Sequence, residues 1–176
     1  MEATRDPAEQ PAGERIEESR WLGEEEMQAW LGLASMLIRL PAALDRQLQR
    51  DAGISHFEYQ VLAGLSMSPG RTMRMSDLAE IADGSLSRLS HTVTRLEKRG
   101  WVRRTPDPAD GRYTLAILTD GGWDKVVATA PGHVDAVRTY VIDPLTKAQI
   151  RQLAQIGDRI SNAIDPGGSC PSGRFT

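Results

Sequence analysis

The chain has 176 residues, with 21 Lys and Arg against 24 Asp and Glu, three His, one Cys and a formal net charge of −3. Apolar residues are 40% and charged residues 26%, the balance of a soluble globular domain with enough chain to bury a core. No apolar run reaches the roughly 18–20 residues of a membrane-spanning helix, and the Glu-rich start lacks the regions of a secretory signal, so no membrane association is expected. One cysteine excludes an internal disulfide and points to a reducing cytoplasm. Cys170, His56, His91 and His133 show no metal-ligand spacing, so neither a metal nor a cofactor is expected.

Charge is unevenly placed. Residues 1–27 carry nine acidic and three basic side chains, whereas residues 86–104 carry six basic ones (Arg88, Arg95, Lys98, Arg99, Arg103, Arg104) against Glu97 alone. Such a segment is either a solvated helix face or a basic reading head on an acidic body.

In chain order, residues 1–23 lack apolar periodicity and read as an acidic arm, from which Trp21 and Leu22 could dock on the body. Trp30, Leu33, Leu37, Leu40, Leu44 and Leu48 then recur at spacings of three and four, one stripe of a long amphipathic helix. Pro41 should kink it or split it in two. Ser55 with Glu58 forms a capping box for a second helix whose apolar side is Phe57, Val61, Leu62 and Leu65. Ser68-Pro69-Gly70 closes that helix. A short helix over about 76–82 follows, with Ser76 as N-cap, and Asp83-Gly84 makes a turn.

The next helix spans about Ser85 to Arg99, with Gly100 at C′. Leu86, Leu89, Val93 and Leu96 form its inner face. Its outer face carries Ser85, Ser87, Arg88, Ser90, His91, Thr92, Arg95 and Arg99. Residues 101–105 and 113–118 read as two strands joined by the turn Pro106-Asp107-Pro108-Ala109-Asp110-Gly111, a hairpin with Arg112 at its tip. Thr119 caps a helix with Trp123, Val126, Val127, Ala130, Val134, Val137 and Val141 on one side, bent at Pro131-Gly132. Thr146 and Gln149 form a second capping box, before a stripe of Ile150, Leu153, Ile156 and Ile160. The tail over 165–176 reads as disordered.

Helix, short helix, helix and β-hairpin make a winged helix-turn-helix. A helix of about 15 residues is roughly 22 Å long and fits a major groove about 12 Å wide. Ser, Arg and His side chains along its N-terminal half can reach base edges. An arginine on a hairpin tip suits a narrow, electronegative minor groove. No nucleophile paired with a base, carboxylate pair in a cleft or phosphate loop is present, and the Gly84-Ser85-Leu86-Ser87 run lacks the second glycine of a nucleophile elbow; no catalytic residue is expected.

The order and spacing of Met75-Ser76-Asp77-Leu78-Ala79-Glu80, of Ser85 to Arg95, and of Leu96-Glu97-Lys98-Arg99-Gly100-Trp101-Val102 resemble the MarR family of transcriptional regulators. The resemblance continues through Asp107-Pro108-Ala109-Asp110-Gly111-Arg112 and Leu118-Thr119-Asp120-Gly121-Gly122, and covers about residues 24–163. It implies a mainly α fold with a small β-hairpin wing (α+β). The winged helix-turn-helix would occupy 55–119, and the helices of 24–54 and 120–164 would form a dimerisation layer. It further implies a homodimer on pseudo-palindromic double-stranded DNA, most simply a repressor, with a small aromatic or phenolic ligand as effector. Reactive cysteines of the family's peroxide sensors lie in the first helix, so Cys170 is not expected to act as a redox switch.

The resulting assignments are Ser85, Ser87, Arg88, Ser90, His91, Thr92 and Arg95 on the recognition helix, and Asp110 and Arg112 on the wing. Arg112 touches DNA and Asp110 orients the wing. Arg95 either pairs with Asp110 or touches phosphate. Arg71, Arg103 and Arg104 are phosphate contacts without sequence information. Trp30, Leu33, Met36, Leu37, His56, Tyr59, Arg74 and Trp123 are placed at an effector pocket by topology alone; the aromatics read more simply as core, and His56 and His133 as surface or packing residues. The alternatives are a winged-helix module that binds protein, or a DNA-binding regulator without an effector.

Overall fold

Three acidic side chains, Glu24, Glu25 and Glu26, sit at the positive end of the first helix dipole, and the Glu26 carboxylate accepts the Gly23 N–H at 2.8 Å. A computed structural model describes residues 21–82 and 84–166. The expectations for residues 1–20, for Asp83 and for the tail with Cys170 lie outside the described residues. From these acidic caps helix α1 runs over Glu24–Ala52, followed by α2 (His56–Met67), a 3-10 turn (Pro69–Arg71), β1 (Thr72–Arg74), α3 (Met75–Ile81) and α4 (Leu86–Lys98). Then come β2 (Val102–Pro106), β3 (Thr114–Leu118), α5 (Asp120–Val137), a π turn (Arg138–Ile142) and α6 (Lys147–Ile164). The chain divides into two units, Met1–Leu37 and Ile38–Thr176, and α1 contributes to both.

Helix α1 continues through Pro41, where the sequence suggested a kink or two helices. The proline ring donates no hydrogen bond, so one rung of the ladder is missing without the helix ending. An 18-residue window of α1 averages a hydropathy of 1.3, enough to match a membrane span by length and composition. This corrects the expectation that no stretch does, because Gln28 and Arg39 break the uninterrupted run but are averaged over in the mean. In the first unit Trp30, Leu31, Met36 and Leu37 are exposed, and Leu33 is half-buried.

The second unit is built around one core. Leu48 of α1, Val61, Leu62 and Leu65 of α2, Leu78 of α3, and Leu89, Val93 and Leu96 of α4 meet Val102, Ala116 and Leu118 of the sheet and Val126 of α5. The Ser55–Glu58 capping box starts α2 as expected: Ser55 Oγ accepts the Glu58 N–H, and the Glu58 carboxylate accepts the Ser55 N–H. Thr119 and Thr146 likewise cap α5 and α6, the latter in a capping box with Gln149.

The sheet has three strands in the order β1-β3-β2. β2 and β3 form the expected hairpin, in register from Val102↔Leu118 to Pro106↔Thr114. β1 was not expected. Three residues are too few to show a period of two, and the strand exists through pairing with the other edge of β3, at Thr72↔Ile117 and Arg74↔Leu115. It also moves the start of α3 to Met75, so that Arg74 stands at the N-cap and Ser76 lies inside the helix.

Helix α5 passes through Pro131 and buries Gly122, Val126, Thr129 and Ala136. Val127 and Val134, expected on the inner stripe, are exposed. Helix α6 has no buried residue, and Leu153, Ile156, Ile160 and Ile164 all face outward.

One glycine fixes how α5 leaves the sheet. A Cβ at Gly122 would collide with the carbonyl oxygen of Trp101 and with the Leu118 side chain. Gly122→Ala should therefore lower stability by about 3 kcal/mol, the upper range for overpacking. Chemical denaturation checks this, and an unchanged midpoint would contradict the close packing.

Candidate nucleic-acid interface

Helix α4 begins when Ser85 Oγ accepts the Arg88 N–H at 3.2 Å. It ends with Arg99 as C-cap and Gly100 in the left-handed region at φ 72°. Its 13 residues extend about 20 Å, the dimension of a helix that lies in a major groove. The outer face presents Ser85, Ser87, Arg88, His91 and Arg95 as exposed and Ser90 as half-buried.

Two residues occupy places other than those expected. Thr92 is 2% exposed, and Leu86 is 57% exposed. Thr92 lies three residues after Leu89 and four before Leu96, on their stripe; its hydroxyl accepts from Arg95 Nη2 at 3.3 Å. Thr92 therefore cannot offer itself to a base. Leu86, at the first turn, instead lines a cleft of about 370 Å³ with Ser76, Ser90, Arg104, Arg112 and Tyr113, an apolar group where a thymine methyl could be read. Its place directly after the Ser85 cap is the signal that could have found it.

The wing tip is held by a two-point ion pair. Arg112 donates from Nε to Asp110 Oδ1 at 3.0 Å and from Nη2 to Oδ2 at 2.6 Å. The Arg112 side chain remains 84% exposed, so it is oriented without being buried. Hydrogen bonds from the Arg112 side chain and backbone hold the Asp110 carboxyl below the usual range.

Asp107 is buried at the start of the turn. It accepts the Ala109 N–H at 2.9 Å and Arg74 Nε at 2.9 Å, and the Arg74 guanidinium lies 4.4 Å from the centre of the Tyr113 ring. The clasp ties the wing to the start of α3. Arg74 thus lines the wing cleft, while His56 lines a separate one.

The other expected cations divide. Arg104 pairs with Glu97 through Nε at 2.9 Å and Nη2 at 2.6 Å, and also reaches Thr94; those bonds lower the Glu97 pKa. Arg71 pairs with Asp120 at 3.1 Å and lies 4.1 Å from the centre of the Trp123 ring. Arg103 is exposed. Arg95 pairs with Glu58, neither of the two partners considered from sequence, since Asp110 is taken by Arg112.

Of the residues assigned to an effector pocket, the second unit brings together His56 and Tyr59. The His133 ring of α5 lies 6.0 Å from His56 and 4.6 Å from Tyr59, centre to centre. His133 Nδ1 and Gln47 Oε1 are buried with no hydrogen-bond partner among the described residues. A cleft of about 450 Å³ opens beside His56, lined also by Asp45, Phe57, Gln60 and Arg88.

Burial lowers the pKa of His56 against the opposing charge of Asp45. Burial and the neighbouring His56 lower that of His133. The unfolded chain therefore takes up protons on both rings below about pH 6.5 that the folded chain resists. Stability from this pair is complete above that pH and declines as pH falls through it. Denaturation midpoints should drop between about pH 7.5 and 5.5, and His133→Phe should reduce the drop; a flat profile for the natural chain would contradict the pair.

Comparison with known proteins places this geometry. Residues 52–112 match the model of the MarR family. The structure resembles Sco3205 of Streptomyces coelicolor, a MarR family transcriptional regulator solved in complex with DNA, with a TM-score of 0.81 and 48% identity over 86% of this chain and 94% of that one. The transcriptional regulator HosA of Escherichia coli O111:H- is 30% identical over 60% of this chain and 76% of its own length. YdcH of Bacillus subtilis, an HTH-type transcriptional regulator, is 30% identical over 44% of this chain, and the match spans 54% of YdcH. Agreement of this extent, along nearly the whole of Sco3205 and through both α4 and the hairpin turn, means that the chain belongs to the MarR family of DNA-binding transcriptional regulators.

Proposed function

We propose that this MarR-family regulator acts in the cytoplasm as a homodimeric repressor on a pseudo-palindromic operator, and that a small aromatic or phenolic ligand releases it. Each winged helix-turn-helix, residues 55–119, places α4 in a major groove, with Arg112 in the flanking minor groove. Ser87, Arg88, Ser90 and His91 read base edges, Leu86 reads a thymine methyl, and Arg103 meets phosphate. The observation that carries this reading is the solvent face of α4 beside a wing arginine that is 84% exposed yet held in place by Asp110. A hairpin tip has no packing use for such a guanidinium.

Dimerisation is supported by the apolar side chains that a single chain leaves uncovered on residues 24–37, on α5 and on α6. Exposed apolar side chains repeated along one helix, as on α6, mark an interaction site. The segments 24–54 and 120–164 supply the dimer layer, and two-fold symmetry sets the recognition helices one helical turn of DNA apart. Ligand release is supported by the cleft beside His56, whose volume suits a small molecule; occupation there shifts the dimer toward a spacing that misfits the operator.

The test is selection of bound duplexes from fragmented genomic DNA at physiological salt, about 0.15 M, with competitor DNA present. Enrichment of an inverted repeat supports the reading. Sequence-blind binding contradicts it and favours a winged helix that serves a protein partner.

A further inference from the structure

The turn after α1 and the first turn of α2 meet the recognition helix at three arginines. The Arg88 guanidinium lies 4.0 Å from the centre of the Phe57 ring. Arg95 Nε donates to Glu58 Oε1 at 3.2 Å, and Arg99 Nη1 donates to the Gly53 carbonyl at 3.3 Å. The backbone ahead of α4 closes the same seam, since a Cβ at Gly84 would stand 2.7 Å from the Phe57 ring carbons. On its far side the turn is fixed to α1, because Asp45 Oδ1 accepts the His56 N–H at 2.8 Å.

Glu58 is the centre of this contact. It is 5% exposed, and its two oxygens have separate duties. Oε2 accepts the Ser55 N–H at 2.9 Å, which starts α2, and Oε1 accepts from Arg95, which belongs to α4. Burial pushes its pKa up, but the Ser55 N–H, Arg95 and Arg99 outweigh that and keep it below the usual carboxylate range. A buried carboxylate facing a guanidinium fixes direction as well as distance, because the planar fork donates along set lines. Arg95 is further held within α4 by its bond to the buried Thr92 hydroxyl.

Resting on the reading of α4 as the recognition helix, we infer that Glu58 is a positioning residue for DNA recognition. With Arg95 it sets the rotation of α4 against α2, and so the register in which Ser87, Ser90 and His91 meet the bases. Arg95, for all its place on the outer face, acts on the protein and not on DNA.

The experiment titrates the full chain, by fluorescence anisotropy, against its selected operator and a shuffled duplex, for E58Q, R95M, R95K and the double variant E58Q/R95M. Glutamine keeps the capping box, and thermal melts confirm that each variant is folded at the temperature used. E58Q and R95M should each weaken operator binding about five- to tenfold, with the double variant no weaker than the weaker single, as coupled neighbours behave. Shuffled-duplex affinity and the salt slope should stay unchanged. R95K should bind like R95M, because an ammonium restores the charge without the Nε–H.

Equal losses on both duplexes, a salt slope shallower by about one per chain in R95M and recovery in R95K would make Arg95 a phosphate contact and overturn the inference. Losses that add across the pair, or an undiminished operator affinity in E58Q, would overturn it as well. A natural chain that does not distinguish the two duplexes would instead overturn the functional reading, and this inference with it.

Discussion

Arg112→Glu should abolish operator binding while keeping the fold. In the natural chain the guanidinium is exposed and held by two bonds to Asp110. Removing its core partners is not at issue, because it has none: the side chain is 84% exposed. Each half-site loses a groove contact worth about tenfold in affinity, and a dimer loses two, so Arg112→Ala should weaken operator binding about a hundredfold. The glutamate adds repulsion between the new carboxylate and phosphate and should weaken it further. The slope of log affinity against log salt should become shallower in both variants. Asp110→Asn should show a smaller loss, because it frees the guanidinium without removing it. Unchanged affinity in Arg112→Glu would exclude the wing from the DNA contact.

The second large effect is expected in α6. On the proposed homodimer, the natural chain should run as a dimer in sedimentation and the doubly substituted chain Leu153→Asp, Ile156→Asp as a monomer. Both positions are exposed in the single chain, at 39% and 53%, so the charges disturb little within it. Across an interface each side chain would bury an apolar surface worth roughly 1.5–3 kcal/mol, and an unpaired carboxylate there reverses the sign of the contribution. With the two lobes unlinked, operator affinity should fall by on the order of a thousandfold, the scale of an effective-concentration advantage. A dimer that survives both charges would place the interface on other residues.

How much of this was legible in the sequence follows from the range of each interaction. The caps at Ser55, Thr119 and Thr146 are local patterns spanning four residues, and all three form as the spacing suggested. The Asp110–Arg112 pair joins residues two apart on one turn, so its motif could be seen directly. The Glu58–Arg95 and Arg74–Asp107 pairs join residues 37 and 33 apart. They depend on how α2 packs on α4 and how β1 docks beside β3, which no local pattern encodes. Strand β1 illustrates the same point, since three residues become a strand only when β3 supplies the partner. Thr92 departs from its expected place for a different reason. A hydroxyl suggests an outward group, whereas its position between Leu89 and Leu96 determines that it faces inward. Family membership identifies a regulator and not an enzyme, a conclusion the missing catalytic constellation alone could only suggest.

The most direct test of the central claim is a hydroxyl-radical footprint of the natural chain on the duplex recovered by selection. Two protected patches on one face of the DNA, centred about one helical turn apart, with flanking minor-groove protection that disappears in Arg112→Ala, is the predicted result. A single patch, or protection that does not depend on sequence, would contradict a two-fold regulator that reads DNA through α4 and the wing.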